Sequence, residues 1–224
     1  MKVGCNLVTA LFLWSYPGCA SATSLIASSF DGGVVIGADT RSSTGSFVAN
    51  RFADKITQVY PGIFLARSGK SADTQFVADA VEAKLAAYRT YFGRSPSVRV
   101  AATITRNICY ANKDTLNAGL ICAGWDHVEG GKVFSVPQGG SLHEQPFSVS
   151  GSGAGYALSY CDANLVPGMG REKCVESVRR ALELALARDG GSGGAIGLCV
   201  VAADGVEKWA VMPQSTEGGG KGGG

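Results

Sequence analysis

The chain has 224 residues, 46 % of them apolar, and its 20 basic and 18 acidic side chains leave a formal net charge of +2. That length buries the core of one domain, and the apolar content excludes a disordered chain. Charge so near neutral, with no run of Lys or Arg along a helix face, excludes a field strong enough to gather nucleic acid.

The chain opens on a leader, residues 1–22, with Lys2 at its start, an apolar stretch from Leu7 to Trp14 and Ala20-Ser21-Ala22 at its end. Basic start, apolar middle and A-x-A are the marks of a secretion signal, although the apolar stretch is too short to span a bilayer as a helix. A cut after Ala22 would expose Thr23 and remove Cys5 and Cys19. The five cysteines left (Cys109, Cys122, Cys161, Cys174, Cys199) are an odd number without C-x-x-C spacing. That pattern excludes a zinc framework and favours a reducing compartment over a disulfide scaffold. The absence of an N-x-[ST] sequon points the same way.

From Thr23 the sequence turns to strands. "TSLIASSF" and "GVVIGADT" flank Asp31-Gly32-Gly33, a hairpin signal, and "DKITQVY" and "GIFLARS" form a second pair around Pro61-Gly62. Residues Ser71 to Phe92 change to helical period, with Phe76, Ala80, Val81, Leu85 and Tyr88 on the predicted inner face, Ser71 as N-cap and Gly93 as stop. A second helix is predicted over Ser97–Ala111. Strands "AGLICAGWD", "GKVFSV" and "HEQPFSVS" follow, then helices over Gly151–Cys161 and Arg171–Arg188, then strands "GAIGLCVVA" and "VEKWAVM". Blocks segregated in this way predict two stacked antiparallel sheets with helices outside them, an α+β architecture. The Gly-rich end, residues 213–224, lacks the apolar content to pack and is expected to be disordered.

Several short matches fail on context. Gly69-Lys70-Ser71 resembles the end of a phosphate loop, but Phe64 stands where that loop needs its first glycine. "GSGAG" at Gly151–Gly155 follows no βαβ unit and reads as a tight helix entry. "GGSGG" at Gly190–Gly194 has the letters of a nucleophile elbow, yet a helix precedes it and a strand follows, the reverse of that elbow. The chain offers only His127 and His143 as imidazole bases, and His127 falls in a charged hairpin turn.

Asp39 and Lys55 remain, at the ends of predicted strands. A buried Asp–Lys pair is most often structural, because pairing is the usual remedy for buried charge. It becomes functional beside a group whose acidity a lysine can adjust. A threonine at a free N-terminus is such a group: its α-amine has a reference pKa of about 7.7–8.0 and can take the proton of its own hydroxyl.

Counted from Thr23, the sequence resembles the catalytic β subunits of the 20S proteasome. The likeness is carried by "TSLIASSFDGGVVIGADTR", "VANRFADK", "RSGKSADTQ", "AGLICAGWD", "VFSVPQGG", "SGSGAGY" and "RDGGSGG", in the family's order. It implies the four-layer αββα sandwich of the N-terminal nucleophile (Ntn) hydrolases, spanning 23–212 as one domain, with 1–22 as a propeptide cut between Ala22 and Thr23. It also implies Thr23 as nucleophile with its freed amine as base, Asp39 and Lys55 as the tuning pair, and Ser152, Asp189 and Ser192 as the polar network around the amine. The Gly69 amide would be the oxyanion donor. Within the family the chain is most similar to the β1, caspase-like type. That likeness implies Arg67 in the S1 pocket for an acidic P1 side chain, with Ser42, Ala53, Ser71 and Thr74 as small lining residues. No metal or organic cofactor is implied. The implied partners are other α and β subunits in a four-ring particle and polypeptide substrates, with neither nucleic acid nor membrane, in cytoplasm and nucleus. One departure stands out: active members carry Gly before the threonine, and this chain has Ala22. The alternative expectation is therefore a structural subunit that keeps its leader.

Overall fold

The computed structural model describes residues 23–44 and 47–213. The leader with its cleavage residue Ala22, and residues 214–224 of the expected tail, lie outside the described residues. Within them run twelve strands and four helices. One five-stranded sheet has the order β10-β1-β2-β11-β12, from β1 (Leu25–Phe30), β2 (Gly33–Asp39), β10 (Phe147–Ser150), β11 (Ile196–Ala202) and β12 (Gly205–Val211). The other has the order β5-β6-β7-β8-β9, from β5 (Ile56–Tyr60), β6 (Ile63–Gly69), β7 (Ala118–Asp126), β8 (Gly130–Val136) and β9 (His143–Glu144). Every ladder in both sheets is antiparallel.

The strand period sorts side chains into three cores. Leu25 and Ala27 of β1, Val34 and Ile36 of β2, Phe64 and Ala66 of β6, and Ile121 and Ala123 of β7 meet between the sheets. Their neighbours point the other way. Ile26 and Val35 face α3 (Ala154–Asn164) and α4 (Arg171–Arg188), whereas Ile63, Leu65 and Leu120 face α1 (Ser71–Phe92) and α2 (Val98–Ala111). Central strands buried on both faces need apolar residues at every position, which is why β2 is buried throughout. The layers are α1/α2, sheet, sheet, α3/α4: the αββα sandwich.

The structure corrects the sequence reading in four places. "HEQPFSVS" is two strands in different sheets: β9 pairs with β8, and β10 pairs with β1. Pro146 sits at the break, its carbonyl accepting from both the backbone N–H and the hydroxyl of Ser29. A hairpin of β3 (Ser42–Thr44) and β4 (Phe47–Asn50) lies where no strand is expected. On α1 the buried stripe is Thr74, Val77, Ala78, Val81 and Leu85, and Phe76 is 54 % exposed, because residues 77 and 78 share the face of 74, 81 and 85. The cap of that helix is Lys70 rather than Ser71, with no side-chain hydrogen bond, while Gly93 ends it in the left-handed region as expected. Ser97 caps α2, its side chain accepting from the Val100 N–H.

Candidate active site

The two sheets bring their polar ends together at Thr23. Because Leu25 pairs with Ala38 across β1–β2, the residues just beyond them, Ser24 and Asp39, also meet. The Asp39 N–H donates to the Ser24 carbonyl at 3.1 Å and the Ser24 N–H to Asp39 Oδ1 at 3.0 Å. Asp39 is fully buried. Its other oxygen accepts the N–H groups of Arg41 at 3.2 Å and Gly193 at 3.1 Å, so four donors hold it once Lys55 is counted.

Lys55 comes from the second sheet, immediately before β5, where its carbonyl accepts the Arg67 N–H at 2.9 Å. Its Nζ donates to Asp39 Oδ1 at 2.7 Å and to Thr23 Oγ1 at 3.0 Å, with the side chain 10 % exposed. Burial lowers its pKa below the ordinary lysine value and outweighs the opposing pull of Asp39.

On the far side of Thr23 its nitrogen donates to Ser152 Oγ at 3.1 Å. The Ser152 hydroxyl in turn donates to Asp189 Oδ2 at 2.6 Å, and so does that of Ser192, also at 2.6 Å. Burial alone would raise the Asp189 carboxyl. The two hydroxyls and the amides of Gly191 and Ser192 outweigh it and hold the group below its ordinary value. Thr23 thus presents oxygen to a cation and nitrogen to a hydroxyl backed by a carboxylate.

Two glycines let the chain close around these atoms. Gly69 (φ +110°) turns at the end of β6, where a Cβ would come within 2.4 Å of the Asn117 carbonyl oxygen. Gly151 (φ +91°) leaves β10, and a Cβ there would stand 2.1 Å from the Thr23 carbonyl oxygen. Neither position admits another residue without displacement.

A cavity of about 370 Å³ opens beside Thr23. Of the residues predicted from sequence, Ser42, Ala53, Lys55, Arg67, Gly69, Ser71 and Thr74 line it with Thr23. Asp39, Ser152, Asp189 and Ser192 do not line it and meet Thr23 and Ser24 away from it, and Ala22 is outside the described residues. Arg67 is half-buried, and burial lowers its pKa, with Asp54 and Asp79 opposing. Its Nη1 donates to Gln75 Oε1 at 2.9 Å and its Nη2 to the Asp54 carbonyl at 3.0 Å. Its Nε is buried without a protein hydrogen-bond partner among the described residues. A guanidinium remains cationic in such a place, so the cavity offers a fixed positive charge.

Several contributors escaped the sequence reading. Ser24 places its Oγ 2.8 Å from Ser192 Oγ, and Gly193, 154 residues from Asp39, supplies one of its amides. Gln75 and Asp54 line the cavity and orient Arg67. The i,i+4 spacing of Gln75 and Asp79 was the available signal for the first of these: Gln75 Nε2 donates to Asp79 Oδ1 at 2.6 Å, so its oxygen is left for Arg67.

Comparison with known proteins places this geometry in context. The family model described as "Proteasome subunit" matches residues 19–201. A probable proteasome subunit beta type-1 of Schizosaccharomyces pombe is 46 % identical over 186 residues, 83 % of this chain and 82 % of that protein. A proteasome subunit beta type-6 of Dictyostelium discoideum is 44 % identical over 186 residues, 83 % of this chain and 87 % of that protein. The proteasome subunit beta type-1 of Saccharomyces cerevisiae is 42 % identical over 195 residues, 87 % of this chain and 90 % of that protein.

Proposed function

The chain belongs to the proteasome β-subunit family, and on that premise we propose that it is a threonine endopeptidase cutting polypeptides after acidic residues. Proteasome β subunits have the Ntn-hydrolase fold and assemble with other α and β subunits into the 20S core particle. The observation that carries the peptidase reading is the division of labour at Thr23: Lys55 Nζ at 3.0 Å from its hydroxyl, Ser152 Oγ at 3.1 Å from its nitrogen.

In this reading, removal of residues 1–22 turns the Thr23 nitrogen from an amide into an amine still facing Ser152. The amine takes the hydroxyl proton as Oγ attacks the substrate carbonyl, and Lys55 stabilises the developing alkoxide. The Gly69 amide receives the oxyanion, a role worth about 2.7–4 kcal/mol for such donors. Collapse expels the leaving amine, which carries off the proton, and an ester on Thr23 remains. Water, activated by the same amine, hydrolyses the ester and restores the residue.

Specificity follows from Arg67. A P1 Asp or Glu carboxylate entering the cavity would meet a guanidinium able to offer paired N–H···O bonds, while Ser42, Ala53, Ser71 and Thr74 leave it room. Among the described residues no helix is long and apolar enough to cross a membrane. On the family resemblance, and not on that absence, we propose cytoplasm and nucleus as the compartments.

The test is covalent. Particles containing the chain are treated with an inhibitor that reacts with both amine and hydroxyl of an N-terminal threonine. Intact mass should show a chain beginning at Thr23 and carrying the adduct. The sequence at Ala22 favours a second reading, a structural subunit with its leader retained. A full-length chain without adduct would establish that reading instead.

A further inference from the structure

Two serines with no part in this chemistry join the two sheets beside it. Ser68 of β6 is buried, and its Oγ donates to the Gly119 carbonyl of β7 at 2.7 Å. Ser150, the last residue of β10, places its Oγ 3.0 Å from that of Ser68. A serine hydroxyl has one proton. With the proton of Ser68 committed to Gly119, Ser150 is the donor of the second bond. The order is Ser150 to Ser68 to Gly119. A Cβ at position 119 would lie only 3.0 Å from Ser68 Oγ and 3.4 Å from Ser150 Oγ, so the bridge occupies the space a side chain would need.

The bridge crosses from one sheet to the other, since β6 and β10 belong to different ones. Much of the layer between the sheets is apolar side chains, which resist separation but set no register. Polar links also cross it at Lys55, which bonds Asp39 and Thr23, and at Lys208, which bonds the Ile56 carbonyl, but neither reaches Gly69 or Gly151. Each serine also stands one residue before a turn of the site. Ser68 precedes Gly69, and Ser150 precedes Gly151 and Ser152, the partner of the Thr23 nitrogen. Gly69 and Gly151 have no side chains with which to anchor themselves.

We propose that the Ser68–Ser150 hydroxyl bridge is a positioning device, fixing the distance between the oxyanion donor on one sheet and the Thr23–Ser152 pair on the other. The inference rests on the peptidase reading above and adds to it two residues that touch neither substrate nor Thr23. An oxyanion donor acts only when held about 2.7–3.1 Å from the developing charge, and an error of about 1 Å costs on the order of a hundred-fold. Neither serine lines the cavity. Loss of the bridge should therefore appear in kcat and leave KM alone.

Ser68→Ala, Ser150→Ala and the double variant are incorporated into particles and assayed with a peptide bearing Asp at P1. Each single variant should lower kcat by about five- to ten-fold with KM changed less than about two-fold. The double variant should be no slower than Ser68→Ala, because both replacements remove the same link. Ser150→Ala keeps the Ser68–Gly119 bond and so isolates the crossing between sheets even if Ser68→Ala fails to assemble. Unchanged kcat in Ser150→Ala, losses that multiply in the double variant, or a raised KM at constant kcat would each overturn the bridge while the peptidase reading stands. Wild-type particles that contain the chain yet leave the peptide uncut would overturn that reading and this inference together.

Discussion

At the scale of single residues, the site is built from opposed demands on Lys55. In the proposed mechanism its ammonium must stay charged to lower the amine's affinity for a proton and to steady the alkoxide, yet burial works against that charge. The pH dependence follows. As pH falls through the pKa of a free Thr23 amine, whose reference value is about 7.7–8.0, the base is protonated and the rate drops. As pH rises through the lowered pKa of Lys55, the cation is lost and the rate drops again. A profile of kcat/KM against pH should be bell-shaped, with its alkaline limb below the ordinary lysine value of about 10.4. Lys55→Arg should be slower but keep its rate at high pH, since a guanidinium does not titrate there. On the proposed specificity, Arg67 governs a separate property. Arg67→Met should lower kcat/KM for peptides with P1 Asp or Glu and raise it for P1 Leu, read as the ratio between the two substrates in assembled particles. An unchanged ratio would remove Arg67 from the specificity role. Asp189 sets the acid edge of the site: with its carboxyl held below the ordinary value, its contribution to stability is present above that value and fades as pH falls through the lowered one.

At the scale of elements, what could be read in advance depended on how each segment is buried. Strands β1, β2, β6, β7 and β11 announce themselves as apolar runs because both faces are covered. The β3–β4 hairpin was invisible for the opposite reason: Phe47 is 71 % exposed, Phe-Val-Ala-Asn of β4 buries no face, and Ser-Ser-Thr of β3 makes no alternating pattern. The division of "HEQPFSVS" between two sheets was also hidden, since a strand's own residues do not say which edge it joins; Pro146, unable to donate to a ladder, was the clue. The site divides likewise. Asp39 and Lys55 stood out as charges at strand ends, whereas Gly193 and Ser192 reach Asp39 and Ser24 through pairings that only β2–β11 register creates. Packing of α4 on β2 gives a test of the layer arrangement. Leu182 is fully buried, and its Cδ1 lies so near Gly37 that a Cβ there would come within 2.6 Å. Leu182→Ala should cost about 2–5 kcal/mol and lower the thermal midpoint of the recombinant chain by several degrees. Leu158→Ala, at a position 46 % exposed on α3, should stay within about 0.5 kcal/mol. Equal shifts in circular dichroism melts would show that α4 does not depend on this contact.

For the whole molecule, the sandwich would make activity and processing one problem if the chain is the proposed peptidase. Thr23 is 1 % exposed in the full chain, enclosed by Asp39 and Lys55 on one side and by the Gly151–Gly153 turn on the other. The Gly153 N–H donates to the Thr23 carbonyl at 3.3 Å, so the peptide after Thr23 is fixed in the chain with residues 1–22 attached. In the proposed self-cleavage, attack of Thr23 Oγ on the carbonyl of residue 22 requires a distorted backbone at that peptide. Glycine reaches strained backbone regions that cost other residues about 1–3 kcal/mol. At about 1.4 kcal/mol per factor of ten, Ala22 should slow self-cleavage by about five-fold or more relative to glycine. Ala22→Gly should accordingly hasten loss of residues 1–22, followed by intact mass at intervals after assembly, and leave the pH profile and P1 preference of the mature subunit unchanged. Equal rates for the two chains would mean that attack is not limited by the backbone at position 22. Thr23→Ala, which removes the hydroxyl, should keep the leader in either background. Release in that variant would assign the cut to a neighbouring subunit.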